Sequence, residues 1–294
     1  MRDIEWTIPK RYLSLTLYDG RVKKTDKKVL SRLTAFNHIV GDISATVSGA
    51  SAEANFTIYG LKVDTMAYLS TSYSTWVVNQ IQNEIRLDIG YENNHAVMFN
   101  GYIIEAVPNF NNENYSIKLK CLGMFPSMLN EIESLSFAGN HKVKEIAGVI
   151  ANKLGFTLMT GDIDDYTIND YSVSNQPLVN HLRILSEMSR LDCYIDNERV
   201  VVKKSGEALK ALSTFKANVS NMIGTPRPTN EGAIVKVRMN PSLRSGQAVT
   251  INSKKFPQMK NAKYNIQTIG TSFNTYGEDW SNELTLVSEY LYRE

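Results

Sequence analysis

The sequence predicts an α+β fold that is mainly β: two similar antiparallel β-barrel modules, tube-like in build, flanking a small α/β insert. Three observations carry this. Apolar and polar residues alternate with a period of two through both ends of the 294-residue chain. Between those ends, from about residue 140, the period becomes that of amphipathic helices. The two β regions also end on similar strings of residues, which raises the question of a repeat. The boundaries expected are 1–128 for the first module, 139–205 for the insert and 213–294 for the second module.

In the first module, Tyr12 to Tyr18 alternates and Asp19-Gly20 turns the chain. Ile43, Ala45 and Val47 alternate, as do Ala54, Phe56 and Ile58, with Ser48-Gly49-Ala50-Ser51 as the hairpin loop between them. A short helical piece is expected near Asp64 to Leu69, with Asp64 as N-cap. Ile85, Leu87 and Ile89, then Val97-Met98-Phe99 and the stretch from Tyr102 to Val107, read as strands. The polar turn Asn111-Asn112-Glu113-Asn114 leads into Tyr115 to Cys121.

In the insert, Val143, Ile146, Ala147, Ile150 and Leu154 form one helical stripe, and Gly155 stops it. Pro177 is placed in the first turn of a second helix whose stripe is Leu178, Leu182, Leu185 and Met188. Cys193-Tyr194-Ile195 and Val200-Val201-Val202 flank a tight hairpin at Asp196 to Arg199. In the second module Ala233, Val235 and Val237 alternate, Asn240-Pro241 breaks the strand, and Gly246, Val249 and Ile251 begin another. Tyr264, Ile266 and Ile269 lead to a hairpin turning at Tyr276 to Asp279, returning through Leu284, Leu286 and Val287.

The suspected repeat sets Tyr102-x-Ile104, Val107, Phe110-Asn111, Tyr115 and Ile117-x-Leu119 against Tyr264-x-Ile266, Ile269, Phe273-Asn274, Trp280 and Leu284-x-Leu286. Leu87-Asp88-Ile89 precedes the first string and Ala248-Val249-Thr250 the second. Two readings fit: the likeness of any two β-hairpins, or two copies of one module.

Composition narrows the function classes. The net charge is +2, with 43% hydrophobic and 21% charged residues, which excludes wholesale disorder and a strongly basic nucleic-acid binder. Cys121 and Cys193 cannot form a disulfide framework and read as small buried hydrophobes. No apolar run approaches the ~18 residues of a membrane span, and Arg2, Asp3, Glu5, Lys10 and Arg11 break any signal-peptide core. Folding in a reducing cytoplasm is expected.

The chemical motifs are missing one by one. There is no Gly-x-Ser-x-Gly elbow, no His-Glu-x-x-His, no Gly-x-Gly-x-x-Gly and no Walker A sequence. Asp162, Asp164, Asp165 and Asp170 read as a solvated loop between the helices, without EF-hand spacing. Glu131 and Glu133, beside Ser134 and Ser136, read as surface in a polar link. Lys23-Lys24, Lys27-Lys28, Lys203-Lys204 and Lys254-Lys255 read as solvated strand ends and hairpin tips, with contact to an acidic partner or DNA as the alternative. Trp6, Trp76, Trp280 and 15 tyrosines suit a protein interface as well as ordinary strands. No catalytic, cofactor-binding or metal-ligating residue is assigned, and no cofactor is expected.

Four stretches together resemble a known family. They are Val97-Met98-Phe99-Asn100-Gly101-Tyr102-Ile103; Val143-Lys144-Glu145-Ile146-Ala147 through Leu154-Gly155-Phe156; Asn175-Gln176-Pro177-Leu178 through Leu185 to Cys193-Tyr194-Ile195; and Met239-Asn240-Pro241 through Gly246 to Val249, followed by Tyr264-Asn265-Ile266 and Trp280. In this order they are similar to the baseplate hub proteins of contractile phage tails, of the late-control protein D type, which are related to the N-terminal hub part of type VI secretion spike proteins. The likeness spans about residues 10–290.

The resemblance implies a non-enzymatic homotrimer whose two modules per subunit form a pseudo-sixfold ring. Its implied partners are a hexameric tail tube or tube initiator, a trimeric central spike, and possible contact with a tape-measure protein, with DNA passing through the channel without specific binding. It implies a place in the virion's tail baseplate after assembly in the host cytoplasm, without a membrane anchor. The chain carries neither a spike-like C-terminal barrel or β-helix nor a lysozyme insertion, so the spike is expected to be a separate chain. The competing readings are a tail-associated cell-wall hydrolase and the equivalent hub of a non-contractile tail or a secretion or injection apparatus.

Overall fold

Alternation in the first region becomes a ladder of antiparallel strands in the computed structural model, which describes residues 9–21, 26–46, 52–72, 82–111, 114–123, 132–196 and 198–289. The strands are β1 (Arg11–Tyr18), β2 (Val29–Thr34), β3 (Ile39–Thr46), β4 (Glu53–Tyr59), β5 (Glu84–Tyr91), β6 (Asn94–Asn109) and β7 (Ser116–Leu122), with helix α1 (Val63–Ser72) between β4 and β5. Leu13, Leu15, Leu17, Phe56, Ile58, Ile85, Leu87 and Ile89 turn one face of this sheet into a core. Asp64 lies within the first turn of α1 and not at its cap. There its carboxylate still meets the positive end of the helix dipole. The Ser48–Ser51 loop, Trp6, Trp76, Lys23-Lys24, Asn112-Glu113, Glu131 and Asn197 lie outside the described residues.

The insert contains more strand than the sequence reading gave it. It runs β8 (Ile132–Lys142), α2 (Val143–Leu154), β9 (Thr157–Thr160), β10 (Thr167–Pro177), α3 (Leu178–Ser189), β11 (Leu191–Asp196) and β12 (Arg199–Lys204). The expected polar link holding Glu133, Ser134 and Ser136 is β8; Asp162, Asp164 and Asp165 lie in the loop between β9 and β10, and Asp170 lies in β10. β8 pairs with β10, and the register slips twice, between Asn169 and Tyr171 and between Val173 and Gln176. Asp170 and Asn175, in those slips, take left-handed backbone angles (φ 55° and 52°). Bulges of this kind break the two-residue period, which is why the strand does not announce itself. Pro177 precedes α3 as its N-cap instead of opening its first turn. Both stripes pack into one core around the fully buried Tyr171. Met188 is the exception, 45% exposed. Gly155 ends α2 at φ 72°, its N–H bonded to Asn152 O.

The second region supplies β13 (Phe215–Ala217), β14 (Arg227–Pro228), β15 (Gly232–Arg238), β16 (Ala248–Ile251), β17 (Tyr264–Asn274) and β18 (Trp280–Ser288). Its strands do not form a separate sheet. One sheet runs β14-β15-β18-β17-β3-β4-β7-β6-β5-β1-β2, with β16 also on β17 and β13 on β16. Neither region closes into a barrel among the described residues; the modules are open antiparallel sheets joined edge to edge where β17 pairs with β3.

Inside this sheet the repeat is explicit. The order β4-β7-β6-β5 recurs as β15-β18-β17-β16, all pairs antiparallel. Both hairpins bulge at the same place: β6–β7 slips between Ile103 and Glu105, and β17–β18 between Ile266 and Thr268. That landmark matches Ile103 with Ile266 and Cys121 with Leu286. The sequence comparison was therefore one residue off from Tyr102 to Val107 and two off at Ile117 and Leu119, but in register where it set Phe110 against Phe273 and Tyr115 against Trp280. With this register the partner strands also agree. Ala54 faces Cys121 as Ala233 faces Leu286, and Phe56 faces Leu119 as Val235 faces Leu284. Ile103 N–H bonds Asn83 O just as Ile266 N–H bonds Gln247 O.

Candidate assembly interface

No group of three or more His, Cys, Asp or Glu side chains converges among the described residues. Asp162 pairs with Lys210 (3.1 Å) and Asp164 with Lys144 (3.2 Å), both at the surface. Glu133 pairs with Lys153 at 3.2 Å. Cys121 is fully buried, and burial pushes the Cys193 thiol up to about 12, so neither presents a thiolate near neutrality. A cavity of about 850 Å³ lies between insert and second module, but its walls alternate Arg190, Lys204, Lys210 and Lys263 with Asp162, Glu207 and Glu289. No single sign of charge is focused there. No helix among the described residues is long and apolar enough to cross a membrane.

Two polar features hold the modules in shape. The first is a knot at the β1–β2 turn. The Asp19 side chain, 1% exposed, accepts from Arg21 Nη2 at 2.7 Å and Nε at 3.0 Å, and from Tyr68 Oη at 2.8 Å. The hydrogen bonds from Arg21 hold this carboxyl well below the usual carboxylate range, against the opposing effect of burial. Burial, reinforced by the hydrogen bond to Asp19, pushes the Tyr68 phenol up to about 12. A folded-state value below the unfolded one, near ~3.9, means the knot stabilises the fold above that pH and the gain is lost as pH falls. Asp19→Asn is expected to cost about 2 kcal/mol at pH 7 and to flatten the fall of stability between about pH 5 and 3, read by urea unfolding across that range.

The second feature seats the insert on the second module. Tyr194 Oη donates to Ser245 O at 3.1 Å. Lys203, expected as a solvated strand end, is 2% exposed and paired with Asp192 at 2.7 Å. The next residue of the loop, Gly246, takes φ 77°, and a Cβ there would meet Tyr194 Oη at 2.6 Å and Lys203 Cε at 3.3 Å. This explains the glycine in the stretch Pro241 to Val249: the loop can approach the insert only without a side chain. Gly246→Ala is expected to cost about 2 kcal/mol from strain and crowding together, seen as a lower melting temperature and earlier protease cleavage around Ser205 to Leu212.

The interface that defines the molecule is the joint between its modules. From Thr268 to Asn274, β17 pairs with β3 in unbroken register. At its end the Phe273–Trp280 pair, edge to face at 6.1 Å and 76°, is buried in the first module's core. Phe273 fills the space left by Gly41, whose missing Cβ would lie 2.5 Å from the ring. Trp280 Nε1 donates to Gly90 O at 3.2 Å, and the Arg11 guanidinium sits 5.0 Å from the Trp280 ring centre. Arg11 also donates to Asn274 O and Gly277 O. The sequence reading left Trp280 open between an interface and an ordinary strand, and placed it in the last hairpin without its partners. Arg11 and Gly41 carried no signal at all, because each acts through a contact more than 200 residues away.

Sheets joined through duplicated hairpins around a mixed insert also occur in solved tail proteins. The chain is similar to the 43 kDa tail protein of prophage MuSo2 from Shewanella oneidensis (11% identity, TM-score 0.63, 95% of this chain and 98% of that one). It is similar to a tail protein from Neisseria meningitidis (9%, 0.62, 95% and 96%) and to a component of the type VI secretion system of E. coli (10%, 0.52, 86% and 73%). No curated protein matches the sequence. The chain thus shares its fold with these tail proteins and secretion component. Residues 32–279 further match the family of baseplate hub gp41, and the chain belongs to that family.

Proposed function

We propose that this chain is the hub of a tail baseplate: a homotrimer whose six modules form a pseudo-sixfold ring between the hexameric tail tube and a trimeric central spike, and that it nucleates tube assembly. The observation that carries the reading is the shared register of β4-β7-β6-β5 and β15-β18-β17-β16 within one continuous sheet. One polypeptide then supplies two near-equivalent wedges, so an object with threefold symmetry offers six similar positions. The chemistry is interface burial. No catalytic step, cofactor or metal is invoked; DNA passes the ring without specific binding, and a tape-measure protein is a further partner. We assign residues 1–128 and 213–294 to the two wedges and 139–205 to the insert; three core clusters centred on these stretches support the division, with Met239, Phe273 and Trp280 reaching into the first and Leu135 into that of the insert. Its place is the tail baseplate of the virion, assembled in the host cytoplasm. Light scattering on the purified chain is expected to give three times 33.1 kDa; a stable monomer at all concentrations would sink the reading.

A further inference from the structure

Strand register picks out two exposed surfaces that correspond to the two sides of the junction between the modules. The offsets that match Ile103 with Ile266 and Cys121 with Leu286 also match Phe110 with Phe273 and Tyr115 with Trp280. The two aromatic pairs have the same geometry: Phe110–Tyr115 is edge to face at 5.9 Å and 74°, against 6.1 Å and 76°. Their surroundings differ. Phe273 and Trp280 are 1% and 5% exposed, covered by the other module of the same chain, whereas Phe110 and Tyr115 are 44% and 43% exposed. Beside them Val107 is 50% exposed. From Glu105 to Asn109, β6 pairs only with β7 among the described strands. The matching stretch of β17 is flanked on its other edge by β3.

The segment equivalent to β3 in the second module also lies at an edge of the sheet, with no further strand beside β14 among the described residues. β14 precedes β15 as β3 precedes β4, and Pro228 faces Ala233 as Ile43 faces Ala54. Upstream, Ile223 N–H bonds Lys236 O and Arg238 N–H bonds Asn221 O, so residues 221–228 follow the β15 edge. This segment carries two further exposed apolar side chains at or next to it, Val219 (67%) and Ile223 (42%). We infer that the Phe110–Tyr115 hairpin tip of one copy packs against the Asn221–Pro228 edge of a second copy, reproducing between chains the junction that β3 and the Phe273–Trp280 tip make within one. This rests on the hub reading and names its self-contact.

The two junctions differ in one respect. At the equivalent positions Pro108 would stand opposite Pro228, and Pro226 replaces Gly41. Proline donates no hydrogen bond and belongs at sheet edges. Pro226 is already buried within its own chain, so the contact between copies is made by the exposed side chains around it and not by a backbone ladder. The same prolines keep the free edges from templating uncontrolled polymers before assembly.

The test is a pair of measurements on the full chain. In the register Asn109 would lie opposite Arg227. Asn109→Cys and Arg227→Cys in the same chain, treated with a short bismaleimide, are expected to give covalent dimers and trimers and nothing larger; each single variant alone gives none. Phe110→Ser with Tyr115→Ser is expected to keep the wild-type circular dichroism, since both side chains are already exposed, and to lower the mass from trimer to monomer. A wild-type trimer with no cross-link and an unchanged mass in the serine variant would overturn this surface and leave the hub reading standing. A wild-type monomer overturns both.

Discussion

Trp280→Ala is expected to be among the most damaging single substitutions outside the glycines, costing about 3–5 kcal/mol. The ring is 5% exposed and touches three groups at once: the Phe273 ring, the Arg11 guanidinium and the Gly90 carbonyl. Its loss leaves a cavity at the joint, removes the hydrogen bond to the Gly90 carbonyl, and frees Arg11 to leave Asn274 and Gly277. Domains of this size hold a reserve of roughly 5–15 kcal/mol, so the variant is expected to be folded but readily opened at the joint. Trp280→Phe separates the contributions: it keeps most of the apolar contact and loses the bond to Gly90, for a cost of about 1–2 kcal/mol. Thermal melts of both variants, with proteolysis to locate the opening, decide the matter. Equal melting temperatures for Trp280→Ala and wild type would show that β3–β17 pairing alone holds the modules together.

What the sequence disclosed depended on the range of the interaction involved. The α2 stripe from Val143 to Leu154 was legible because each side chain reports on the same buried face. The strands ending at Cys121 and Val287 were legible for the same reason, with a period of two. β10 was hidden by its bulges, and β2 and β14 by short or exposed patterns (Val29 is 43% exposed). The repeat was visible as a string of residue types, but its register was not. Turn lengths differ between the copies, and only the shared bulge after Ile103 and Ile266 fixes the offset. The joint between modules was invisible, because no local pattern announces that Gly41 makes room for Phe273.

Gly101→Val is expected to be as severe as the loss of Trp280, for the opposite physical reason. Gly101 lies in the Phe99-Asn100-Gly101-Tyr102 stretch and pairs with Ile85 on β5, just before β6 crosses to β7. A Cβ at this position would sit 2.3 Å from Leu122 O, and 2.8 Å from the Phe99 ring. The nearest obstacle is a backbone carbonyl held in the β4–β7 ladder, so no rotamer change relieves it. Either β6 and β7 separate or the sheet loses its curvature there, at a cost of about 3 kcal/mol or more. Since β6 also carries the Phe110 tip, the damage extends to oligomerisation. Two other glycines calibrate the result. Gly139→Ala meets no neighbouring atom and pays only for its φ of 82°, about 1 kcal/mol. Gly148→Ala lies inside α2 with its nearest neighbour 3.9 Å away, and is expected to stabilise the chain by up to about 1 kcal/mol. The ranking of melting temperatures is therefore Gly148→Ala above wild type, Gly139→Ala slightly below it and Gly101→Val far below. A Gly101→Val chain that melts with Gly139→Ala would mean that the β6–β7 crossing is loose, and that the tip it positions is not held in the register that the contact between copies requires.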